Sequence, residues 1–395
     1  MFFIFRNTLI ILFLLIKYLI TKQDTSSDPP YITEYFHLIS TIDTPLHLKK
    51  HYGMHESSID FYPGTMNIIL SVPHDGSLSS NLPTRPKYAC RKSNSTSKKC
   101  YYQNPCVSPI FKINSKICKI HHGRDKNTRL LALALRYELN QLFKLKPFVI
   151  INRLERSKVD MNRFIDEGTF GASNSMHAWM RYHFYLKHAR EIIINHENNY
   201  EGKGLLFDIH SQDHEEGWVE LGYMLSSRQL STKNYTLKSS SLASYLTTLF
   251  NPKELISGNK SLGYFITKYK YLAVPSPTFP SPLNHSYFEW GYTIEEYGRY
   301  YNFSAIMIES PSNQLLNRTK LYMYAKSLAL ALHDYLIDIE LLEPLIKPEI
   351  INQTQIIKPE TINQTQIIKQ CNYSKKLNVQ ISFFMFLFIN IINHF

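Results

Sequence analysis

The sequence contains no long block of lysine or arginine, no zinc-finger spacing, no CxxC pair and no uninterrupted apolar run of bilayer length. Each absence closes off a class of function. The 44 Lys and Arg outnumber the 32 Asp and Glu, for a formal net charge of +12, but they are dispersed along 395 residues. Nucleic-acid binding calls for a basic patch or a recognisable module, so no nucleic-acid partner is expected. Dispersed basicity is compatible with an acidic substrate or an anionic membrane and specifies neither. Without CxxC, the clustered cysteines Cys90, Cys100, Cys106 and Cys118 read as disulfide partners and not as a zinc knuckle. Sequence does not choose among their pairings, and Cys371 is left over. At the N-terminus the apolar run covers only residues 9–16, behind Arg6. That length fits a secretory leader better than a bilayer-crossing helix. No small-residue cleavage site is clear, so an uncleaved anchor stays open.

What the chain does contain is 44% hydrophobic residues, enough for a sizeable core in one large or two ordinary domains. Several buried-strand patterns end in chemically capable side chains. Residues 147–163, PFVIINRLERSKVDMNR, begin as an apolar strand and then deliver Arg153, Arg156, Lys158, Asp160, Asn162 and Arg163. So many cationic and amide groups beside a buried strand need partners. They read either as a solvated loop or as an anion clamp, in which a guanidinium fork and an amide hold a carboxylate. NIILSVPHDG (67–76) ends in His74, GLLFDIHSQ (204–212) in His210, and AIMIESP (305–311) in Glu309. In open α/β sheets, ligands bind beyond the carboxyl ends of the strands. Two histidines and carboxylates placed there suit Zn²⁺ with one position left for water. A single such histidine is more often structural; the repeated placement is what points to a site.

These segments, with GRDKNTRLLALAL, MHAWMRYHFYLKHA, VELGYMLS, SLGYF, LAVPSPTFPSP and LYMYAKSLALAL, resemble in order the N-formylglutamate amidohydrolase family. That family stands among the zinc-carboxypeptidase-like and aspartoacylase-like hydrolases, and the resemblance covers residues 66–336. The DMNR tetrapeptide is similar to the DLNR of aspartoacylases, where Asn and Arg hold the substrate carboxylate. The resemblance implies a three-layer α/β/α fold with a mixed central sheet. It implies one Zn²⁺ per chain on His74, Asp125 and His210. Asp125 is the least secured of these, since it could equally be a helix N-cap or stand behind the ligands. Typical zinc carboxypeptidases take a His and a Glu three apart, whereas Ser77 stands in that place here. Arg156 matches the arginine that polarises the scissile carbonyl, Asn162 and Arg163 the carboxylate clamp, and Glu309 the general base. Family members often carry a His in the segment that here reads TIEEYGR (293–299), where Tyr297 stands. His285 nearby reads as a loop residue.

The implied activity is hydrolysis of an amide in a small acidic N-acyl amino acid, N-formyl-like, by activated water. A zinc carboxypeptidase acting on peptides and an inactive surface glycoprotein are the alternatives.

The remaining organisation points to an oxidising, glycosylating compartment. Residues 1–22 are a leader or anchor, 31–343 a catalytic domain, and 84–120 a Cys-bearing, Pro-rich insertion within it. Residues 128–143 place Leu131, Leu135, Leu139 and Leu142 at helical spacing, a packing stripe. Residues 175–197 and 320–340 are further predicted helices; His177, His183, His188 and His196 on the first read as structural. IKPEIINQTQ (346–355) and IKPETINQTQ (357–366) repeat in a stalk covering 344–371. Sequons stand at Asn94, Asn234, Asn259, Asn284, Asn302, Asn317, Asn352, Asn363 and Asn372. The tail, 372–395, ends in ISFFMFLFINII and reads as a GPI signal with Asn372 or Ser374 as attachment residue, or as a tail anchor. The chain is therefore expected to be secreted or held at the cell surface by a terminal hydrophobic segment.

Overall fold

A computed structural model describes residues 28–46, 58–79, 81–90, 117–195 and 202–343. The leader, the stalk, the tail, most of the Cys-bearing insertion and four of the sequons lie outside the described residues. Among those described, no helix is long and apolar enough to cross a membrane.

The apolar runs form strands because each is buried on both sides, the environment that selects near-continuous Val, Ile, Leu and Phe. The strands are β1 (Ile59–Tyr62), β2 (Ile68–Val72), β3 (Tyr88–Cys90), β4 (Ile117–Lys119), β5 (Phe148–Asn152), β6 (Gly204–Gln212), β7 (Val219–Gly222), β8 (Ala273–Val274) and β9 (Phe303–Pro311). Seven of them make one sheet in the order β1-β5-β2-β6-β9-β7-β8. Its centre, β5, β2, β6 and β9, is parallel; β1 and β7 run antiparallel to their central neighbours β5 and β9. The sheet is mixed, as expected. Strands β3 and β4 pair separately and antiparallel, so the backbones of Cys90 and Cys118 lie on the two arms at the base of the insertion.

Helices cover both faces. On one side lie α1 (Pro30–Thr41), α2 (Thr128–Phe143) and, from the end of the domain, a helix at Arg318–Asp338. They pack with Ile68, Leu70, Val72, Leu205, Phe207 and Ile308 in one core cluster. On the other side α3 (Ser173–Ile194) packs with Ile69, Ile150, Leu206, Ala305 and Met307. The alternation along each strand follows from the two-residue period of a pleated strand. The result is three layers, helix–sheet–helix.

The stripe read on α2 is buried as its spacing requires: Leu131, Leu135 and Leu139 are fully covered and Leu142 partly. Each such leucine contributes about 1.5–3 kcal/mol of burial. The start of α2 is capped from outside. Asn127 sits at the N-cap with φ 67° and gives no side-chain cap. The Asp75 carboxylate accepts instead, from the backbone N–H of Asn127 at 3.2 Å and of Arg129 at 2.7 Å. A negative group there satisfies orphan amides and complements the helix dipole. Asp75 is therefore a clamp between the end of β2 and the start of α2. Gly76, next in line, has no room for a side chain, since a Cβ would lie 1.9 Å from the Leu154 carbonyl oxygen.

Candidate metal centre

The carboxyl ends of β2, β5, β6 and β9 meet at one place. The His74 backbone follows β2, and its carbonyl accepts from the N–H of Asp125 at 3.2 Å. That bond, with the Asp75 clamp one residue later, turns Asp125 inward. His74, Asp125 and His210 are all buried, and their ligand atoms lie within 4.8 Å of one another. Nδ1 of His74 is 3.2 Å from Nδ1 of His210. The Asp125 carboxylate Oδ2 stands 2.9 Å from Nδ1 of His210 and 3.4 Å from Nδ1 of His74. Two imidazole nitrogens and a carboxylate turned toward one point are a set that can hold a metal ion. The N-cap alternative for Asp125 is not the arrangement observed.

The far nitrogen of each ring is also held. His74 Nε2 contacts Asp160 Oδ1 at 2.7 Å, and His210 Nε2 contacts Asp208 Oδ2 at 2.9 Å. A carboxylate behind each ring orients it so that Nδ1 faces Asp125 and the other ring, the side on which a metal would be held. Asp208 and His210 share a face of β6 by period two. Asp208 is anchored in turn by Ser71 Oγ at 2.6 Å, and Ser71 by the Tyr182 hydroxyl at 2.7 Å. These supports were not read as site residues from the sequence, although the D-I-H spacing on a strand could have pointed to Asp208.

The charges around the group are dense and mutually satisfied. Burial opposes ionisation of Asp125, but hydrogen bonds from His210 and His74 outweigh it and hold its carboxyl well below the ordinary range. Burial likewise works against Asp160, yet Arg156 and His74 keep it well below its usual value. Arg156 Nε donates to Asp160 Oδ2 at 2.9 Å, and its Nη1 lies 3.9 Å from Asp125 Oδ1. Arg85, which sequence reading did not single out, is buried behind this loop. It donates to the carbonyls of Arg156 at 2.9 Å, His121 at 3.2 Å and Glu167 at 3.3 Å. It pins the backbone that carries the arginines.

Glu309 is in register with His210 across the β6–β9 pair and with Glu220 across the β9–β7 pair. Register partners project from one face, so the three side chains form a row that begins at the candidate ligand His210. Burial, then the Asp125 and Glu220 carboxylates, raises the Glu309 pKa, against the pull of His210 and Arg156. Glu220 is fully buried and accepts from the backbone N–H of Phe288 at 2.8 Å; its other oxygen lies 2.6 Å from His214 Nδ1. Neither Glu220 nor His214 was legible as a neighbour of the site.

The clamp residues divide. Asn162 is buried: its Oδ1 accepts from the Thr293 N–H at 2.8 Å, and its Nδ2 lies 3.0 Å from His210 Nε2. Arg163 is more open. Its guanidinium lies over the Trp290 ring at 5.6 Å, donates to the Asn162 carbonyl at 3.0 Å, and approaches Glu167 at 3.6 Å. Tyr297 is not at the ligand group; its hydroxyl meets His183 Nδ1 at 3.0 Å in the helical layer. His285 is exposed and paired with Glu216.

No protein-family model matches the chain, and no curated protein matches it. Among solved structures it is similar to an N-formylglutamate amidohydrolase from Ralstonia eutropha. The two are 12% identical over 71% of this chain and 98% of that one, with a TM-score of 0.39. It is also similar to a gene product from Agrobacterium tumefaciens, 11% identical over 72% of this chain and 96% of that one, with a TM-score of 0.40. The first carries the name of the family that the motifs resemble. The chemistry of the site rests on its own residues.

Proposed function

We propose that the chain is a metal-dependent amidohydrolase that removes the acyl group from a small N-acyl amino acid. The observation that supports this reading best is the buried convergence of His74 Nδ1, His210 Nδ1 and the Asp125 carboxylate, with Glu309 in register beside them. The donor set fits a divalent ion: both Nδ1 atoms and the carboxylate face each other, while Asp160 and Asp208 occupy the opposite ring nitrogens. A Zn²⁺ bound by these residues supplies Lewis acidity and lowers the pKa of water.

The chain's own groups supply the rest. Glu309 accepts a proton from water and delivers it to the leaving amine, and its burial favours a carboxyl able to do both. Arg156, braced by Asp160 and beside Asp125, presents positive charge where the carbonyl oxygen becomes an oxyanion. Arg163 offers its fork to the substrate carboxylate. Asn162 acts beside it by fixing backbone: its amide oxygen ties the Arg163 segment to the Thr293 N–H. The motif resemblance points to acidic, N-formyl-like amino acids as the substrate class.

Metal analysis and kinetics of purified protein test the reading. About one Zn²⁺ or similar ion per chain is expected, with most of it lost in His210→Ala. Glu309→Gln is expected to keep the metal and lose on the order of a hundredfold or more in turnover. Full metal occupancy in His210→Ala overturns the site. Turnover of peptides with free C-termini, and none of N-acyl amino acids, would make the chain a carboxypeptidase.

A further inference from the structure

The segment around residues 287–293 is bolted to the metal centre at several points. The Phe288 N–H donates to Glu220 at 2.8 Å, the Met224 N–H to the Glu289 carbonyl at 2.9 Å, and the Thr293 N–H to Asn162 Oδ1 at 2.8 Å. Gly291 lies so close to Asn162 that a Cβ there would sit 2.5 Å from the amide nitrogen. That amide nitrogen is itself 3.0 Å from His210. The aromatic rings of this segment are therefore held at fixed positions beside the site. Phe288, 43% exposed, stacks on His214 with centroids 4.9 Å apart and planes at 20°. Trp290 lies under the Arg163 guanidinium at 5.6 Å.

The cations nearby are almost all committed. Arg156 is taken by Asp160, and Arg85 by three backbone carbonyls. His121 is held below its ordinary pKa by burial and by Arg156 and Arg163. Arg163 donates to the Asn162 carbonyl and stands 3.6 Å from Glu167, and its partly open guanidinium can pair with one substrate carboxylate. A second carboxylate on the same substrate, lodged against Phe288, would stand near the Glu220 carboxylate, with Arg156 and Arg85 already committed. Like charges in a partly desolvated site are disfavoured, whereas an aromatic ring gains area and stacking against Phe288 and Trp290.

We propose that Phe288 and Trp290 form the subsite for the substrate's side chain, and that the enzyme prefers N-acyl aromatic amino acids over N-acyl glutamate or aspartate. This rests on the amidohydrolase reading above and changes its substrate class.

The test is kcat/KM of the Zn²⁺-loaded full chain on N-formylphenylalanine, N-formyltyrosine, N-formylleucine, N-formylglutamate and N-formylaspartate. A preference of at least tenfold for the aromatic substrates over the acidic ones is expected. Phe288→Ala should raise KM for N-formylphenylalanine at least fivefold with little change in kcat, and Phe288→Leu should restore part of it. Equal or better use of N-formylglutamate, or the same loss on acidic and aromatic substrates in Phe288→Ala, overturns the subsite and leaves the amidohydrolase reading standing. If no N-acyl amino acid is hydrolysed, that reading fails, and calorimetric titration of Zn²⁺-loaded protein with free phenylalanine and free glutamate judges the subsite alone. Tighter phenylalanine binding supports it; equal binding, tighter glutamate binding or no binding overturns it.

Discussion

Asp208→Asn is the sharpest probe of how the ligands are oriented. Asp208 is fully buried, accepts from Ser71 at 2.6 Å, and meets His210 Nε2 at 2.9 Å. Asparagine keeps its shape but replaces one carboxylate oxygen with an amide NH2, which donates and does not accept. Either the Ser71 bond or the His210 bond then loses its acceptor, and the His210 ring is held less firmly. Loss of such a support weakens metal binding about 10–100-fold, or about 1.4–2.7 kcal/mol. At a zinc concentration 100 times the wild-type Kd, bound metal stabilises the fold by about 2.7 kcal/mol. A roughly 30-fold weaker Kd cuts this to about 0.9 kcal/mol at the same zinc. At about 2 °C per kcal/mol for a domain of this size, the zinc-induced rise in Tm falls from about 5 °C to about 2 °C. Chelator-competition titration gives Kd directly, and calorimetric melts with and without zinc give the linkage. Ser71→Ala, which removes one bond to Asp208 and leaves the carboxylate in place, is expected to have a smaller effect. An unchanged zinc Kd in folded Asp208→Asn protein would refute the assignment of Asp208 as an orienting group.

Arg163→Lys removes the bidentate fork and the stacking on Trp290, so KM should rise about tenfold or more while metal content stays the same; equal turnover of free-acid and amidated substrates would argue against any clamp. His183 is buried, and burial lowers its pKa to about 3, with the Met161 carbonyl and Asp208 pulling it up less strongly. The unfolded chain then binds the extra proton between about pH 6.5 and pH 3, so stability falls as pH drops through that window, by about 2 kcal/mol at pH 5 relative to pH 8. Denaturant melts of wild type and His183→Gln check this: the variant should have the flatter acid limb, and identical limbs would show that His183 does not titrate on unfolding.

The parts legible in the sequence were those with a local signature. Hydrophobic runs located the central strands, and His74 just past β2, with His210 and Glu309 near the ends of β6 and β9, lies at their carboxyl edge. The stripe at 128–143 became α2 with the same bounds. The orienting and bracing residues were less legible because their roles depend on partners far along the chain. Asp160 faces His74 across 86 residues, and Asp208 reaches Ser71 across 137. Arg85 lies outside any periodic element, so nothing local marked it as buried. Asn162 shows the converse: its motif suggested a free amide, but Thr293, 131 residues away, takes its oxygen.

The Asp75 clamp bears on how the site assembles. His74 and Asp75 are consecutive, and one faces the metal ligands while the other holds the first amides of α2. Asp125 lies just before that helix, with its N–H on the His74 carbonyl. Docking of α2 against β2 therefore sets two of the three ligands in a single step. The third candidate ligand, His210, comes from β6, which pairs with β2 in the sheet. A change that loosens α2 from β2 is therefore expected to disturb His74 and Asp125 together, while His210 stays in place on β6.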